Sequence, residues 1–261
     1  MSRPNQGLRF HGDIVAGPGQ LDFAVNVVPD GPPGWLLEAL SDALSQAAAY
    51  PDEGSATAAV AARHGRPPQE VVPLNGAAEA FWLLAQVLRP QLAVVVAPSF
   101  TEPQAALQAT GQRVQPVWRD PDSFHLDPAA VPAEADLVVT GNPNNPTGTL
   151  DPAATLAGLA RPGRVLIVDE AFMEFTADEA ETLAGRCDLP GLVVVRSLTK
   201  LWGLAGIRGR LPPRPTPHRA SAAGRAPALE CQQPGLRRPG RLGRPRSRTR
   251  RPAGPVPGHH P

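Results

Sequence analysis

The chain has 261 residues, of which 42% are hydrophobic, and a formal net charge of +1 at pH 7. This length and apolar content are enough to build the core of one or two domains, so we expect a soluble globular protein. The small net charge hides an asymmetry. Residues 1–209 carry 13 basic and 23 acidic side chains, whereas residues 210–261 carry 12 arginines and one acid, Glu230. The two parts therefore require separate interpretations.

Composition also argues against a membrane protein and a metal protein. No apolar run approaches the roughly 18 residues that a spanning helix needs, and the first residues contain no apolar signal region. We therefore expect a cytoplasmic protein with no membrane partner. The two cysteines, Cys187 and Cys231, give neither metal-ligand spacing nor a disulfide framework, so we expect no metal site.

Short apolar runs rich in valine alternate with helical patterns along the first part of the chain. The predicted strands lie within residues 70–74, 91–98, 135–143, 164–172 and 191–197, and the predicted helices within 77–88, 101–110 and 151–160. Runs that are apolar throughout are typical of strands covered on both faces, which predicts an α/β fold with a mainly parallel sheet. In such sheets ligands bind beyond the carboxyl ends of the strands.

Four of the predicted strands end in residues that can carry chemistry. Phe100 follows the second run, the turn "GNPNNPTG" at 141–148 follows the third, Asp169 ends the fourth, and Ser197 and Lys200 end the fifth. The prolines and glycines of the turn fix its backbone, and we expect its asparagine amides to point outward. Taken singly, these residues could be core, a surface turn, a helix cap or a solvated lysine. Their convergence on one edge of the sheet favours a site.

Lys200 is the only lysine in a chain with 24 arginines. An arginine side chain stays protonated near neutral pH, whereas a lysine amine can lose its proton and form an imine with a carbonyl group. We therefore interpret Lys200 as a Schiff-base nucleophile.

These residues, together with several short blocks, resemble a known family. The blocks are "HGD", "LDFAVNVVPDGPP", "YPD", "NGAAEAFWLL", "PSFTEP", "GNPNNPTG", "DEAFMEF" and "SLTKLWGLAGIR", and they cover nearly all of residues 11–208. The chain thus resembles the class I/II aminotransferases of fold type I, which use pyridoxal 5′-phosphate (PLP). Within that family it is most similar to histidinol-phosphate aminotransferase and to the threonine-phosphate decarboxylase of cobalamin synthesis.

The resemblance implies a role for each residue at the sheet edge. Lys200 would hold PLP through an imine and then act as acid and base at the substrate α-carbon. Asp169 would pair with the pyridine nitrogen, Asn145 would donate to the ring oxygen, and Phe100 would stack on the ring. The residues that it assigns to the cofactor phosphate are Gly76, Ala77, Ala78, Ser197 and Arg208. Tyr50 would reach the phosphate of a neighbouring subunit, which implies a homodimer.

Two residues depart from the family pattern. Phe172 stands where many relatives have a tyrosine whose hydroxyl helps the ring oxygen, and Val28 stands where the family usually has an asparagine. The substrate is therefore left open. The resemblance implies an enzyme acting on an amino acid or its phosphorylated derivative, either by amino-group transfer or by decarboxylation.

The resemblance ends at Arg208. We predict an amino-terminal segment at 1–30, a PLP-binding large domain at 31–208 and an aberrant, disordered tail at 209–261, with the small carboxyl-terminal domain of the family missing. If residues 209–215 are coded with GC-rich codons, a start one base later gives "AGYLLAP", a family-like strand. The same shift turns residues 229–235 into a segment beginning "WSVNSL". We therefore interpret the tail as a frameshifted translation.

Two alternatives remain for the chain as it stands. It could be an inactive truncated product that exposes the apolar surface on which the small domain docks. The tail could instead be a genuine arginine-rich arm that binds nucleic acid, although it lacks interleaved aromatic residues.

Overall fold

The computed structural model describes residues 25–50 and 52–207 together with a strand at 228–232. Its elements, in chain order, are α1 (Gly34–Ser45), α2 (Glu53–His64), β1 (Val71–Leu74), α3 (Ala77–Leu88), β2 (Ala93–Ala97), α4 (Glu102–Ala109), β3 (Val114–Trp118), β4 (Leu137–Gly141), α5 (Ala153–Ala157), β5 (Val165–Asp169), β6 (Leu192–Ser197) and β7 (Ala228–Gln232).

The strands form one seven-stranded sheet in the order β1-β7-β6-β5-β4-β2-β3. The pairs β3/β2, β2/β4, β4/β5 and β5/β6 are parallel. Among the strands that the structure describes, β7 is the one that runs opposite to the others, and it pairs antiparallel with both β1 and β6. The prediction of an α/β fold with a mainly parallel sheet is confirmed.

The central strands are buried because alternate residues face two separate hydrophobic clusters. Val94, Val96 and Val138 belong to a cluster on one face, whereas Val95 and Val139 belong to the cluster on the other. All residues of β2 and β4 are buried. Each fully buried valine contributes about 1.5–3 kcal/mol relative to an exposed one, so these runs fix the sheet and its register.

Four elements are not predicted by the sequence patterns. β3 contains Pro116 at its centre and pairs only with β2 at the edge of the sheet, where proline is tolerated. α1 buries none of its residues, and α2 buries only Ala61. β7 lies within the range 209–261 for which the sequence predicts a disordered tail. The rest of that range lies outside the described residues.

Within the described part of the chain, the helices are all too short or too polar to cross a membrane.

Candidate active site

The loops that follow β2, β4 and β5 meet at the carboxyl edge of the sheet and enclose a small pocket. Three of the residues predicted from sequence line it, namely Phe100, Asn145 and Asp169, and so do Asn144 and Phe172. The convergence expected from the strand ends is therefore present for these residues.

Asp169 and Ser197 face the same side of the sheet. Asp169 pairs with Val195 across β5 and β6, and Ser197 lies two residues beyond Val195 on the same strand. Since side chains alternate along a strand, Asp169 and Ser197 share one face, and Glu170 and Arg196 point to the other. Glu170 and Arg196 form a buried ion pair of 2.9 Å there, which joins the ends of the two strands beneath the site.

The carboxyl group of Asp169 is mostly but not fully charged near neutral pH in the absence of a ligand. Burial raises its pKa to about 6, the N–H of Ala171 and the charge of Lys200 lower it, and Glu170 raises it further. Its Oδ1 accepts a hydrogen bond from the N–H of Ala171 at 3.0 Å, so it also caps the turn after β5. A buried carboxyl group of this kind becomes fully ionised when a cation binds beside it.

Lys200 lies in the turn after β6, above the same edge. Its Nζ is 5.6 Å from the ring centroid of Phe172, which places the amine beside the pocket. Before it, the hydroxyl groups of Ser197 and Thr199 are 2.8 Å apart and both residues are buried. The sequence predicts no role for Thr199, although its position next to Lys200 is a signal for one.

An amino-terminal segment, residues 25–35, lies across the lysine turn. The N–H of Val28 donates to the carbonyl of Lys200 at 3.2 Å, and Asn26 Nδ2 donates to Asn145 Oδ1 at 3.4 Å. Trp35 and Trp202 make an edge-to-face contact at 5.5 Å between ring centroids. The segment also forms one wall of a wider, open cleft that shares Asn145 with the pocket.

The amino-terminal segment, residues 25–35, comes very close to the lysine turn at Gly203. Gly203 has φ +63°, and a Cβ atom there would lie 2.6 Å from the backbone carbon of Gly31. We expect Gly203→Ala to lower the free energy of unfolding by about 1–3 kcal/mol through backbone strain and displacement of the segment. Chemical denaturation measures the change. Gly206→Ala is the matched control because a Cβ there meets nothing within 4 Å, and equal stability of the two variants would contradict the prediction.

The asparagines of the turn at 141–148 do not all point outward, which corrects the sequence prediction. Asn142 and Asn144 are buried. Asn142 exchanges two hydrogen bonds with the backbone of Asp151, and Asn144 Nδ2 donates to the carbonyl of Pro98 at 3.0 Å. Buried amides usually find partners, and these two bind the backbone of Asp151 and of Pro98, although Asn144 Oδ1 is buried without a hydrogen-bond partner. Asn145 is left partly exposed at the pocket.

The amino terminus of α3 opens at the same edge of the sheet. Gly76 precedes the helix with φ 102°, and no side chain caps the first turn. Ala77 packs in the same hydrophobic cluster as Val195 of β6, so the helix begins close to the strand end that carries Ser197. Uncapped N–H groups at a helix start attract anions. This edge therefore combines a helix start without a side-chain cap, a partly buried acid and a lysine.

The family to which the chain belongs is shown by a family model that matches most of the chain. Residues 18–209 match the family model described as aminotransferase class I and II. The chain belongs to that family.

Relatives of known function support the family assignment. The chain is 50% identical over 208 residues to a histidinol-phosphate aminotransferase of Mycobacterium tuberculosis, which covers 78% of this chain and 56% of the relative. It is 33% identical over 199 residues to the threonine-phosphate decarboxylase of Salmonella typhimurium, covering 72% and 54%. The chain therefore spans about half the length of the curated relatives that it matches.

Solved structures of the aminotransferase family share the fold. The histidinol-phosphate aminotransferase from Clostridium acetobutylicum matches with a TM-score of 0.66 at 22% identity and covers 82% of this chain and 60% of its own. The L-threonine-O-3-phosphate decarboxylase from Porphyromonas gingivalis matches with a TM-score of 0.64 at 23% identity, covering 80% and 58%. The predicted fold type I is confirmed.

The structure does not bring Tyr50 to the pocket of this chain, since Tyr50 is completely exposed in the segment between α1 and α2. Arg208, also predicted to bind the phosphate, lies outside the described residues. In contrast, Phe172 lines the pocket beside Lys200 although it was noted in the sequence only as a departure from the family.

Proposed function

We propose that this chain carries the cofactor-binding half of a PLP-dependent enzyme that transfers the amino group of an amino acid or of its phosphorylated derivative. The observation that carries the proposal is the combination of a lysine, a partly buried aspartate and a helix start without a side-chain cap at one edge of the sheet. Membership of the aminotransferase family supports it. Bound PLP supplies an electron sink that stabilises negative charge at the substrate α-carbon.

The residues of the pocket fit the ring of the cofactor. The carboxyl group of Asp169, whose pKa burial raises to about 6, is mostly ionised at neutral pH and so has the negative charge needed to hold a proton on a ring nitrogen. Asn145 can donate an amide N–H to the ring oxygen, and Phe100 can cover one ring face. Lys200 would bind the cofactor carbonyl through its amine and would take up and return the proton at the substrate α-carbon.

The start of α3 fits the cofactor phosphate. The N–H groups of Gly76, Ala77 and Ala78 can meet a dianion there, and the Ser197 hydroxyl can add a hydrogen bond. We propose Arg208 as a further phosphate ligand on the family pattern alone, since it lies outside the described residues.

The assembly and location of the protein are also proposals. The complete exposure of Tyr50 suits a residue that reaches a neighbouring subunit, and we propose a homodimer with shared sites. α1 leaves all of its residues at least partly exposed, which is consistent with a surface covered by a second copy. We propose a cytoplasmic location on the family and the composition.

We further propose that residues 209–261 result from a frameshift, on the basis of the two family-like segments that a one-base shift restores. An inactive truncated product is compatible with a frameshift, because restoring the frame would also restore the small domain and with it the activity. A genuine nucleic-acid-binding arm is not compatible, and in that case removing one base near codon 209 would restore no activity.

Decarboxylation is the second candidate because the chain is 33% identical to a threonine-phosphate decarboxylase. The reactions differ in which bond to the α-carbon is broken. They can be separated with the frame-restored protein, given PLP and a 2-oxo acid acceptor, by measuring amino transfer from histidinol phosphate and CO₂ release from threonine phosphate. We expect amino transfer without CO₂ release. CO₂ release without amino transfer would assign the decarboxylase, and neither product would contradict the proposed function.

A further inference from the structure

A buried arginine lies beneath the turn that carries Asn145. Arg119 directly follows β3, and its N–H donates to the carbonyl of Ala97 at the end of β2 at 2.7 Å. Its residue surface is only 3% exposed. β2 separates β3 from β4 in the sheet, so the Arg119 side chain must extend beneath the end of β2 to contact β4.

The guanidinium group of Arg119 connects three separate parts of the chain. Nη1 donates to Asp151 Oδ2 at 2.6 Å and to the carbonyl of Phe124 at 3.1 Å. Nη2 donates to Thr140 Oγ1 at 3.0 Å and to the carbonyl of Gly141 at 3.1 Å. Thr140 and Gly141 end β4, and Asp151 lies ten residues further along the chain. Arg119 therefore joins both ends of the turn at 141–151.

Further hydrogen bonds within the turn connect these fixed ends to its middle. Asp151 N–H donates to Asn142 Oδ1 at 2.8 Å, and Asn142 Nδ2 donates to the carbonyl of Asp151 at 3.0 Å. Nearer the tip, Asn144 N–H donates to the carbonyl of Thr149, and Gly148 N–H donates to the carbonyl of Asn144, both at 2.8 Å. The neighbouring Asn145 is thus held by a backbone whose two ends are fixed by one side chain.

We propose that Arg119 is a positioning residue that holds the turn at 141–151 in the form in which Asn145 can bind the cofactor ring. The inference rests on the proposed function of the pocket. A planar, five-donor guanidinium can satisfy Asp151, Thr140 and the Gly141 carbonyl together, whereas the single ammonium of lysine cannot match that geometry. A positive charge alone at position 119 would therefore not hold both ends of the turn.

Arg119→Lys tests the proposal, with Arg164→Lys as the matched control. Arg164 is also buried and also binds backbone carbonyls, those of Ala135, Leu159 and Pro132, but it precedes β5 at the opposite end of the sheet. Both variants keep the charge and lose a guanidinium. Amide hydrogen exchange of the cofactor-free full chain reports on the turn, and titration with PLP reports on the site.

We expect Arg119→Lys to speed exchange in the peptide spanning 142–150 and to raise the apparent dissociation constant of PLP by about tenfold or more. We expect Arg164→Lys to change neither. If the two variants bind PLP equally well, the inference is wrong, even if exchange is faster in one of them. If Arg119→Lys does not fold, Asp151→Asn, which removes the charged partner and keeps its shape, takes its place with the same expected result.

Failure of this inference can be told apart from failure of the proposed function. If the unmodified chain forms no adduct with PLP at Lys200, the proposed function is wrong and the inference, which rests on it, falls with it. If the unmodified chain forms the adduct and Arg119→Lys binds PLP as tightly as Arg164→Lys does, only the inference is wrong.

Discussion

Replacing Lys200 with arginine is expected to abolish the visible, borohydride-reducible adduct that PLP forms with the folded chain. Lys200 is the only lysine among the 261 residues, and an arginine stays protonated and cannot form an imine. Its charge is kept, so Asp169 retains a neighbouring cation. The measurement is the visible absorbance of the chain during titration with PLP, before and after borohydride.

The matched control moves the lysine to the surface. In Lys200→Arg combined with Arg186→Lys, the chain again has one lysine, now at an exposed position paired with Asp188. We expect this double variant to show only the weak, unsaturable reaction of a surface amine. A saturable adduct of undiminished affinity in either variant would show that the pocket does not act through Lys200.

Replacing Asp169 with asparagine is expected to have opposite effects on activity and on stability. A contact ion pair between a carboxylate and a ring cation contributes about 4 kcal/mol at an effective dielectric near 20. Its loss in the frame-restored enzyme should slow turnover by about 10³-fold while PLP still binds. Near-normal turnover would reduce Asp169 to a cap of the turn at Ala171, whose N–H it already accepts at 3.0 Å.

The stability effect follows from the raised pKa of Asp169. Its folded-state pKa of about 6 lies above the unfolded value near 3.9. The protonated carboxyl group therefore stabilises the fold fully below pH 4, and this stability is lost as the pH rises through 6. Asparagine resembles the protonated form at every pH. We therefore expect the cofactor-free variant to be more stable than the parent by about 2–3 kcal/mol at pH 7.5, with the difference vanishing near pH 4. Denaturant unfolding at the two pH values measures it, and a pH-independent difference would contradict the raised pKa.

The sequence predicts those parts of the fold whose burial leaves a continuous apolar run. β2, β4, β5 and β6 are such runs because helices and loops cover them on both faces. β3 is missed because an edge strand can contain Pro116 and still pair on its other side. α1 could have been predicted, because Leu36, Leu40 and Leu44 follow helical spacing in the sequence, although the helix buries none of its residues in the described chain.

The residues of the candidate site also differ in whether the sequence could predict them. Asp169 and Lys200 can be found because Asp169 is the last residue of β5 and Lys200 lies three residues after β6, at the edge of the sheet where ligands bind. Arg119 could not be found in this way, since its partners Thr140 and Asp151 are distant in sequence and one buried arginine resembles any other. The inward orientation of the Asn142 and Asn144 side chains was not predicted because their hydrogen-bond partners, the carbonyls of Asp151 and Pro98, come close only in the folded chain.

The most direct test of the account is to locate the adduct by mass. PLP is added to the folded chain, the adduct is reduced with borohydride, and the protein is weighed intact and then mapped by peptide mass spectrometry. Since Lys200 is the only lysine, the only other amine is the α-amino group. The account predicts one added cofactor per chain, carried by the peptide that contains Lys200. An adduct on the amino terminus alone would contradict it.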